Sequence, residues 1–190
     1  MPREKVLCGK EEIIRVAVRV VDTEGIGALS ARRIAKELGI SPMTLYNYVE
    51  NLQEIEKHVL TSGFDRLYDS IYHALNSLEP PVDKFLFCKT LAKQVFTFAM
   101  ENRNIFSFMQ TEGRRQFSED AEVRPFYNFI SKLTKRAKAT QKDYAANEKS
   151  YRLLDVMVFS ISYQCAAGII SMTAEEYEEL IDFFLKKCLT

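Results

Sequence analysis

The sequence predicts an all-helical protein, and three observations support that fold class. Apolar residues recur at helical spacing along most of the chain, beginning with Ile13, Ala17, Val20 and Val21 in residues 11–24. Five prolines and seven glycines are few for a sandwich or barrel, and most lie near predicted helix ends. Residue pairs that cap helix N-termini precede several apolar stretches. The apolar fraction of 47% is enough for a substantial core.

Residues 30–50 predict two short helices joined by a tight turn. Ser30 is placed to cap the first helix, and Gly39 follows it where a left-handed residue costs least. Ser41 is placed to cap the second helix, with Pro42 at its first position. Two helices joined in this way form a helix-turn-helix. The contact between them is predicted to bury Ile34, Ala35, Leu38, Leu45 and Val49.

The outward face of the second helix is aromatic or polar and carries few charges. Its residues are Pro42, Met43, Thr44, Tyr46, Asn47 and Tyr48. Such a face suits a major groove better than plain water. Net charge gives little support for nucleic-acid binding, because the whole chain has no net charge. Residues 1–52 hold eight Lys and Arg against seven Asp and Glu, a net of only +1.

A long helix is predicted over roughly 52–78. Asn51 is placed to accept the Glu54 amide, and Glu54 to reach back, so that the two form a capping pair. Gly63 lies in the middle of this helix despite its low helix propensity. Close packing against a neighbour explains it, and a bend used in signalling is the alternative. Pro80 and the residues beside it end the helix.

Further helices are predicted at about 82–101, 103–110 and 123–140, with a polar loop from Thr111 to Glu122. Several of their apolar residues, with others from the next helix, are candidates for a ligand pocket. They are Phe85, Cys88, Leu91, Phe96, Phe106, Phe126, Phe129, Leu154, Val158 and Ser162. Thirteen phenylalanines and no tryptophan favour an apolar or aromatic ligand. Ordinary core packing is the simpler interpretation for any one of them.

The last two helices carry more apolar surface than one domain needs. The first, at about 143–171, is apolar almost all round from Leu153 onward, so it must be covered on two sides. Thr173 and Glu176 form a capping box for the second. A self-paired four-helix interface with two-fold symmetry is therefore expected. Its candidate residues are Phe159, Tyr163, Ile170, Tyr177, Ile181 and Phe184.

The sequence shows no pattern typical of an enzyme. His58 and His73 lack a second ligand at metal-binding spacing, and no phosphate loop or nucleophile motif occurs, so we expect no cofactor and no metal. The widely spaced cysteines favour reduced thiols in a cytoplasmic protein. They are Cys8, Cys88, Cys165 and Cys188. The apolar stretch 156–170 is too short and too polar to span a membrane. The basic run 124–152 is either a solvated face or a nucleic-acid patch.

Residues 12–56 resemble the TetR family of transcriptional regulators. The resemblance rests on Leu29-Ser30-x-Arg32-x-Ile34-Ala35-x-x-Leu38-Gly39-Ile40-Ser41, followed by Thr44-Leu45-Tyr46-x-Tyr48-Val49. It implies a DNA-binding domain at residues 1–52 and a helical ligand-binding and dimerisation domain at residues 53–190. It also implies a homodimeric, ligand-responsive regulator, most often a repressor, that binds a palindromic double-stranded DNA operator. The alternative is a dimeric small-molecule-binding protein whose head no longer binds DNA strongly.

The resemblance also assigns DNA-contacting roles by position. It places base-reading roles on Arg32, Pro42, Met43, Tyr46 and Asn47. It places phosphate contacts on Ser30, Thr44, Tyr46 and Tyr48. Partial packing is the simpler interpretation for the two tyrosines, as is a surface charge for Arg32.

Two positions depart from the family pattern. Leu52 stands where the family usually has a lysine, and Glu50 stands where a basic or neutral residue would suit a phosphate. We therefore expect weaker non-specific DNA binding than usual, with Arg3, Lys5 and Lys10 of the N-terminal arm as compensating charges. The N-terminal amides of the fourth helix could still bind a phosphate without a side chain.

Overall fold

The computed structural model describes residues 9–189, and every regular element in that range is helical. Arg3, Lys5 and Cys8 lie outside the described residues. The head, residues 10–51, consists of α1 (Lys10–Glu24), a 3₁₀ turn (Ile26–Ala28), α2 (Ala31–Leu38) and α3 (Pro42–Leu45). No helix within 9–189 is both long and apolar enough to cross a membrane.

The long connecting helix α4 (Leu52–Asn76) leads from the head into the body. The body contains seven more helices among the described residues. They are α5 (Lys84–Glu101), α6 (Arg103–Gln110), α7 (Glu112–Phe117), α8 (Arg124–Tyr127), α9 (Phe129–Arg136), α10 (Gln141–Ala166) and α11 (Ala174–Cys188).

Local capping explains where the helices of the head begin and end. Ser30 Oγ accepts the Arg33 N–H at 3.2 Å, and Ser41 Oγ accepts the Thr44 N–H at 3.0 Å. Gly39 ends α2 with a φ of 65°, a left-handed conformation that favours glycine. These features confirm the predicted helix-turn-helix.

Helix α4 begins as predicted in position but differs in one hydrogen bond. Asn51 Oδ1 accepts the Glu54 N–H at 2.8 Å, whereas the Glu54 carboxylate accepts the Glu50 N–H at 2.6 Å rather than that of Asn51. Gly63 is buried where α4 crosses α6, and a Cβ added there would lie 2.9 Å from Met109 Sδ. Close packing therefore accounts for this glycine.

Three predicted boundaries in the body are wrong. The segment from Thr111 to Glu122, predicted to be a loop, contains α7. The helix predicted over 123–140 breaks at Asn128 into α8 and α9. The next helix ends at Ala166 instead of 171, because Gly168 takes a φ of 72° and turns the chain.

Helix α5 lies at the centre of the body and contacts α4, α10 and α11. Helix α11 is held there by Tyr177, whose ring stacks on Phe96 at 4.2 Å between centroids and whose hydroxyl donates to the Ala92 carbonyl at 3.3 Å. Ile181 and Phe184 are buried on the same side of α11. These three α11 residues, expected at a dimer interface, therefore belong to the core of the protomer, because the stripe that contains them faces α5.

The head is attached to the body through α1, which packs against α4 and α6. Asn104 Nδ2, on α6, donates to the Asp22 carbonyl at 2.9 Å. Arg66, on α4, binds the Asp22 carboxylate. The end of α1 is thus fixed to two elements of the body.

Candidate nucleic-acid interface and body cavity

The helix-turn-helix is held from behind by two buried side chains. Leu45 is fully buried and Val49 nearly so, and both belong to the hydrophobic core that includes the apolar side of α2. Ala35 is 1% exposed, and its small side chain allows the close approach of α2 and α3. The predicted contact between the two helices is confirmed.

The opposite side of this segment is open to solvent. Met43 is 77% exposed, Tyr46 45% and Tyr48 42%. Asn47 and Arg32 are also exposed. Large apolar and aromatic groups are seldom left in water without a reason when they cluster in this way. We call this surface, with Pro42, Thr44 and Ser30, the reading face.

Helix α3 is shorter than expected. Its regular part ends at Leu45, after which the Asn47 N–H bonds the Thr44 carbonyl at 3.2 Å and the Tyr48 N–H bonds that of Leu45 at 3.0 Å. Hydrogen bonds between residues three apart are typical of a tighter 3₁₀ turn. The reading face therefore combines one α-helical turn with one tighter turn.

Two members of the reading face have hydrogen bonds that fix them. The hydroxyls of Thr44 and Ser41 lie 2.8 Å apart within the α3 cap. Ser30 Oγ is occupied as an acceptor at the start of α2 but keeps its own proton to donate. Ser30 can therefore donate to a phosphate without breaking its cap, and Thr44 can do so when Ser41 donates the proton in the hydrogen bond between their hydroxyls.

Neighbouring arginines differ in how far their charges are neutralised. Arg33 pairs with Glu24 at 2.6 Å and also with Glu37, which Arg19 contacts at 3.0 Å. Arg32 makes no ion pair with another residue in the described range, and it points into solvent. Arg32 is thus the available cation of the reading face.

Acidic groups reduce the positive potential at the rim of the head. Lys10 pairs with Glu54 at 2.6 Å, and this contact lowers the pKa of the Glu54 carboxyl. Glu50 is exposed, and Leu52 is half-buried. Since Asn51 occupies the Glu54 amide, a phosphate at the start of α4 would be left with amides of earlier residues.

The head is similar in sequence to known DNA-binding regulators. A sequence profile of the bacterial regulatory proteins of the tetR family matches residues 13–51. The head therefore carries a helix-turn-helix of the tetR family type. An uncharacterized HTH-type transcriptional regulator of Bacillus subtilis, YobS, is 28% identical over 90 residues, or 47% of this chain. The repressor DrrR1 of Streptomyces coeruleorubidus is 42% identical over 45 residues, or 24% of this chain. The matched stretches span 45% and 17% of those relatives.

Solved structures extend the likeness in fold to the whole described chain. A protein of unknown function from Rhodococcus sp. RHA1 has a TM-score of 0.78 at 18% identity, covering 99% of this chain and 100% of that one. A TetR family transcription regulator from Marinobacter aquaeolei VT8 has a TM-score of 0.67 at 17% identity, covering 93% of each chain. This chain therefore has the TetR fold, an N-terminal helix-turn-helix followed by a helical domain.

The body contains a partly open cavity of about 80 Å³. We call it the body cavity. Its walls come from α4 and from α6 to α10. Its lining residues are Phe64, Tyr68, Gln110, Arg114, Phe126, Tyr127, Ile130, Asp155, Val156 and Phe159.

The body cavity is largely aromatic. Phe64 lies 5.5 Å from Phe126 in a stacked arrangement and 4.8 Å from Tyr127 edge to face, measured between ring centroids. The Tyr68 hydroxyl donates to the Phe126 carbonyl, and the Tyr127 hydroxyl donates to the Met109 carbonyl at 3.1 Å. These hydrogen bonds fix the rings of Tyr68 and Tyr127 in place, and they use both hydroxyl protons.

The residues predicted to line a ligand pocket fall into distinct groups. Phe126 lines the body cavity. Cys88, Leu91, Leu154 and Val158 line a void of about 10 Å³. The other five line neither space but take part in packing around them: Phe85, Phe96, Phe106, Phe129 and Ser162.

Sequence reasoning missed most of the cavity wall, and Asp155 in particular. It is the only charged residue between Leu153 and Ile170, which was an available signal. Among residues 9–189, Asp155 Oδ1 is buried without a hydrogen-bond partner. Burial raises the pKa of Asp155 to about 6, and the Arg114 charge partly opposes that rise.

A separate apolar surface covers the outside of α10 and α11. Val156 is 65% exposed, Leu153 54% and Phe183 62%. Of the other predicted interface residues, Ile170 is exposed and Tyr163 is half-buried, whereas Phe159 lines the body cavity. We call Leu153, Val156 and Phe183 the outer stripe.

Proposed function

We propose that the protein is a sequence-specific DNA-binding transcriptional regulator that acts as a homodimer and responds to a small molecule. The observation that carries this proposal is the reading face, where exposed Met43, Tyr46, Asn47 and Tyr48 stand on a segment anchored by buried residues. The match of the head to DrrR1, which is named a repressor, supports repression as the mode of regulation.

Each side chain of the reading face has a role suited to its chemistry. We assign Arg32 and Asn47 to base edges, because guanidinium and amide groups bond guanine and adenine in the major groove. Thr44, Tyr46 and Tyr48 are assigned to backbone phosphates, with Ser30 donating from the start of α2. Pro42 and Met43 would make apolar contacts to bases, such as thymine methyl groups.

The outer stripe supports dimerisation. Leu153 and Val156 lie three residues apart on α10, and Phe183 projects from α11, so both C-terminal helices present apolar groups to solvent. A two-fold axis through such a surface would pair two helices from each protomer. Two reading faces would then meet half-sites about 34 Å apart or somewhat more. We expect a palindromic operator, and one head alone to bind too weakly.

The body cavity supports a response to an effector. Phe64 and Tyr68 of its wall belong to α4, the helix that begins at the head. Lys57, also on α4, pairs with Asp120 at 3.0 Å and Glu122 at 2.5 Å in the segment between α7 and α8. An effector that moves α7 or α8 would therefore act on α4 and change the spacing of the two heads.

The experiment that tests this proposal is retardation of DNA from upstream of the protein's own gene. We expect wild type to bind a fragment there, and Tyr46→Ala to weaken binding to every fragment alike. Asn47→Ala should instead relax the preference at particular base pairs. Tyr72→Ala is the matched control, because Tyr72 is a 65% exposed tyrosine at the far end of α4.

Two outcomes would count against parts of the proposal. If wild type binds no fragment at low salt, the regulator proposal fails and the dimeric small-molecule-binding protein becomes the better description. Equal losses for Asn47→Ala across all operator variants would remove Asn47 from the base-reading set.

A further inference from the structure

Asp155 is the most unusual group in the body. It is half-buried, and it lines the body cavity and also two neighbouring voids of about 10 Å³ each. Within the described part of the chain, its Oδ1 atom accepts no hydrogen bond. A buried carboxylate oxygen without a partner is costly, and native proteins rarely keep one without a use.

The carboxylate carries charge under ordinary conditions. Burial raises its pKa to about 6, which leaves it mostly ionised at neutral pH. The neighbouring cation does not neutralise it by contact, since Arg114 is exposed and forms no ion pair with Asp155 among residues 9–189. The guanidinium of Arg114 lies instead over the Tyr127 ring, 5.3 Å from its centroid.

The aromatic wall favours the same sign of ligand charge as Asp155 does. Phe64, Tyr68, Phe126, Tyr127 and Phe159 all line the body cavity. The faces of such rings attract cations, with a gain that grows when the cation is desolvated. The position of Arg114 over Tyr127 is an instance of that attraction within the protein itself.

We propose that the body cavity binds an organic cation, a protonated amine with an apolar body, whose ammonium group pairs with Asp155. The proposal rests on the proposed function, because it takes the body cavity as the effector site. The size agrees with a small head group: 80 Å³ is well below the roughly 150 Å³ cavity that holds benzene in other proteins. The apolar body would extend past Gln110 and Arg114, at the exposed end of the lining, toward the surface.

The principal rival occupant is an anion that pairs with Arg114. Arg114 lies at the exposed end of the lining, so a carboxylate could reach it from solvent. Such a ligand would leave Asp155 unpaired and would add a second negative charge near it. For this reason the cation is favoured.

Calorimetric titration of the full-length protein without DNA tests the proposal. The probes are 2-phenylethylammonium, neutral 2-phenylethanol and anionic 3-phenylpropionate. We expect the cation to bind wild type at least tenfold more tightly than the alcohol. Asp155→Asn should lose at least that tenfold preference while its affinity for the alcohol is unchanged. Circular dichroism and a thermal melt establish that this variant is folded.

A second pair of variants tests whether the site prefers a cation to an anion and whether the aromatic wall contributes to cation binding. Arg114→Met should bind the cation as well as wild type or better, because it removes a competing cation from Tyr127. Phe126→Leu should weaken the cation more than the alcohol. The proposal is overturned if no cation binding is detected up to millimolar concentration, if Asp155→Asn binds the cation normally, or if the anion binds best and depends on Arg114.

The outcome is independent of the DNA experiment. A protein that retards operator DNA but binds no cation has a different effector, and the regulator proposal stands. A protein that binds the cation through Asp155 but no DNA keeps the ligand assignment and loses the regulator proposal.

Discussion

Arg66 Nη1 lies 3.0 Å and 2.9 Å from the two carboxylate oxygens of Asp22, which joins the end of the first helix of the head to the connecting helix. The same guanidinium donates to Asn102 Oδ1 through its other amino group and lies 5.9 Å from the Phe98 ring centroid. One side chain therefore ties α1 and α4 to the junction of α5 and α6.

Replacement of that arginine should loosen the attachment of the head. Arg66→Met keeps the apolar stem but removes the hydrogen bonds to Asp22 and Asn102. Because the pair is partly exposed, we expect a loss of about 1 kcal/mol in the free energy of unfolding. Urea titration measures it, with the exposed Arg115→Met as control. Equal effects of the two substitutions would contradict the role given to Arg66.

Two glycines should respond differently to alanine. At Gly113 an added Cβ would lie 2.8 Å from the Phe108 carbonyl oxygen, a backbone atom that cannot rotate away. At Gly63 it would lie 2.9 Å from Met109 Sδ, the flexible part of a side chain. We expect Gly113→Ala to destabilise by about 1–3 kcal/mol and Gly63→Ala by less. Thermal melts of both variants measure the two losses of stability. A larger loss for Gly63→Ala than for Gly113→Ala would contradict this prediction.

Stability should depend on pH through Asp155. Since its pKa is raised to about 6, the folded protein holds this proton more tightly than the unfolded chain does. The stability from this group is therefore present at low pH and is lost as the pH rises through about 6. Asp155→Asn should be more stable than wild type above pH 7, by at most about 3 kcal/mol. The difference should shrink toward pH 4, and urea titrations across that range measure it. A difference that grows on acidification would refute the assignment.

Removal of a charge at the rim of the head should strengthen DNA binding. The Glu50 side chain is exposed. The Glu54 carboxylate accepts a hydrogen bond from the backbone N–H of Glu50, a contact that does not involve that side chain. Glu50→Gln thus removes repulsion of phosphate without disturbing the start of α4, and affinity should rise about threefold to tenfold at low salt. Fluorescence anisotropy on a labelled operator measures the change. Glu79→Gln, an exposed glutamate beyond the other end of α4, should have no effect.

A charge in the outer stripe should separate the protomers. Val156→Glu would place a carboxylate on each side of the proposed two-fold interface, where burial and like charge both disfavour association. Sedimentation at micromolar concentration should show a dimer for wild type and a monomer for the variant. Leu86→Glu is the control, because Leu86 is a 40% exposed apolar residue on α5 outside the stripe. A monomeric wild type would contradict the interface.

The head could be predicted from sequence because its determinants are local. Ser30, Gly39, Ser41 and Pro42 act within three or four residues of themselves, through caps, a left-handed turn and a fixed φ. Such features need no knowledge of the tertiary structure. The body was less predictable, since its short helices α7, α8 and α9 lack strong caps of this kind.

The candidate sites in the body depend on which face of each helix is covered by another helix. The periodicity of apolar residues alone does not predict which face that is. Tyr177 and Phe183 are both apolar residues of α11, yet the first is 1% and the second 62% exposed. The cavity likewise depends on residues from several distant segments, such as Phe64, Arg114 and Asp155, that meet only in the folded chain. Asp155 was visible as a lone acid in an apolar run, but its surroundings were not.

The division of α3 and its tight turn into two buried anchors and an exposed face has a consequence for how such proteins diversify. Leu45 and Val49 hold the segment, while Met43, Tyr46 and Asn47 contribute little to the core. Substitutions at the exposed positions therefore leave folding nearly unaffected. After gene duplication, a copy could acquire a new target site through a few point changes without first gaining spare stability.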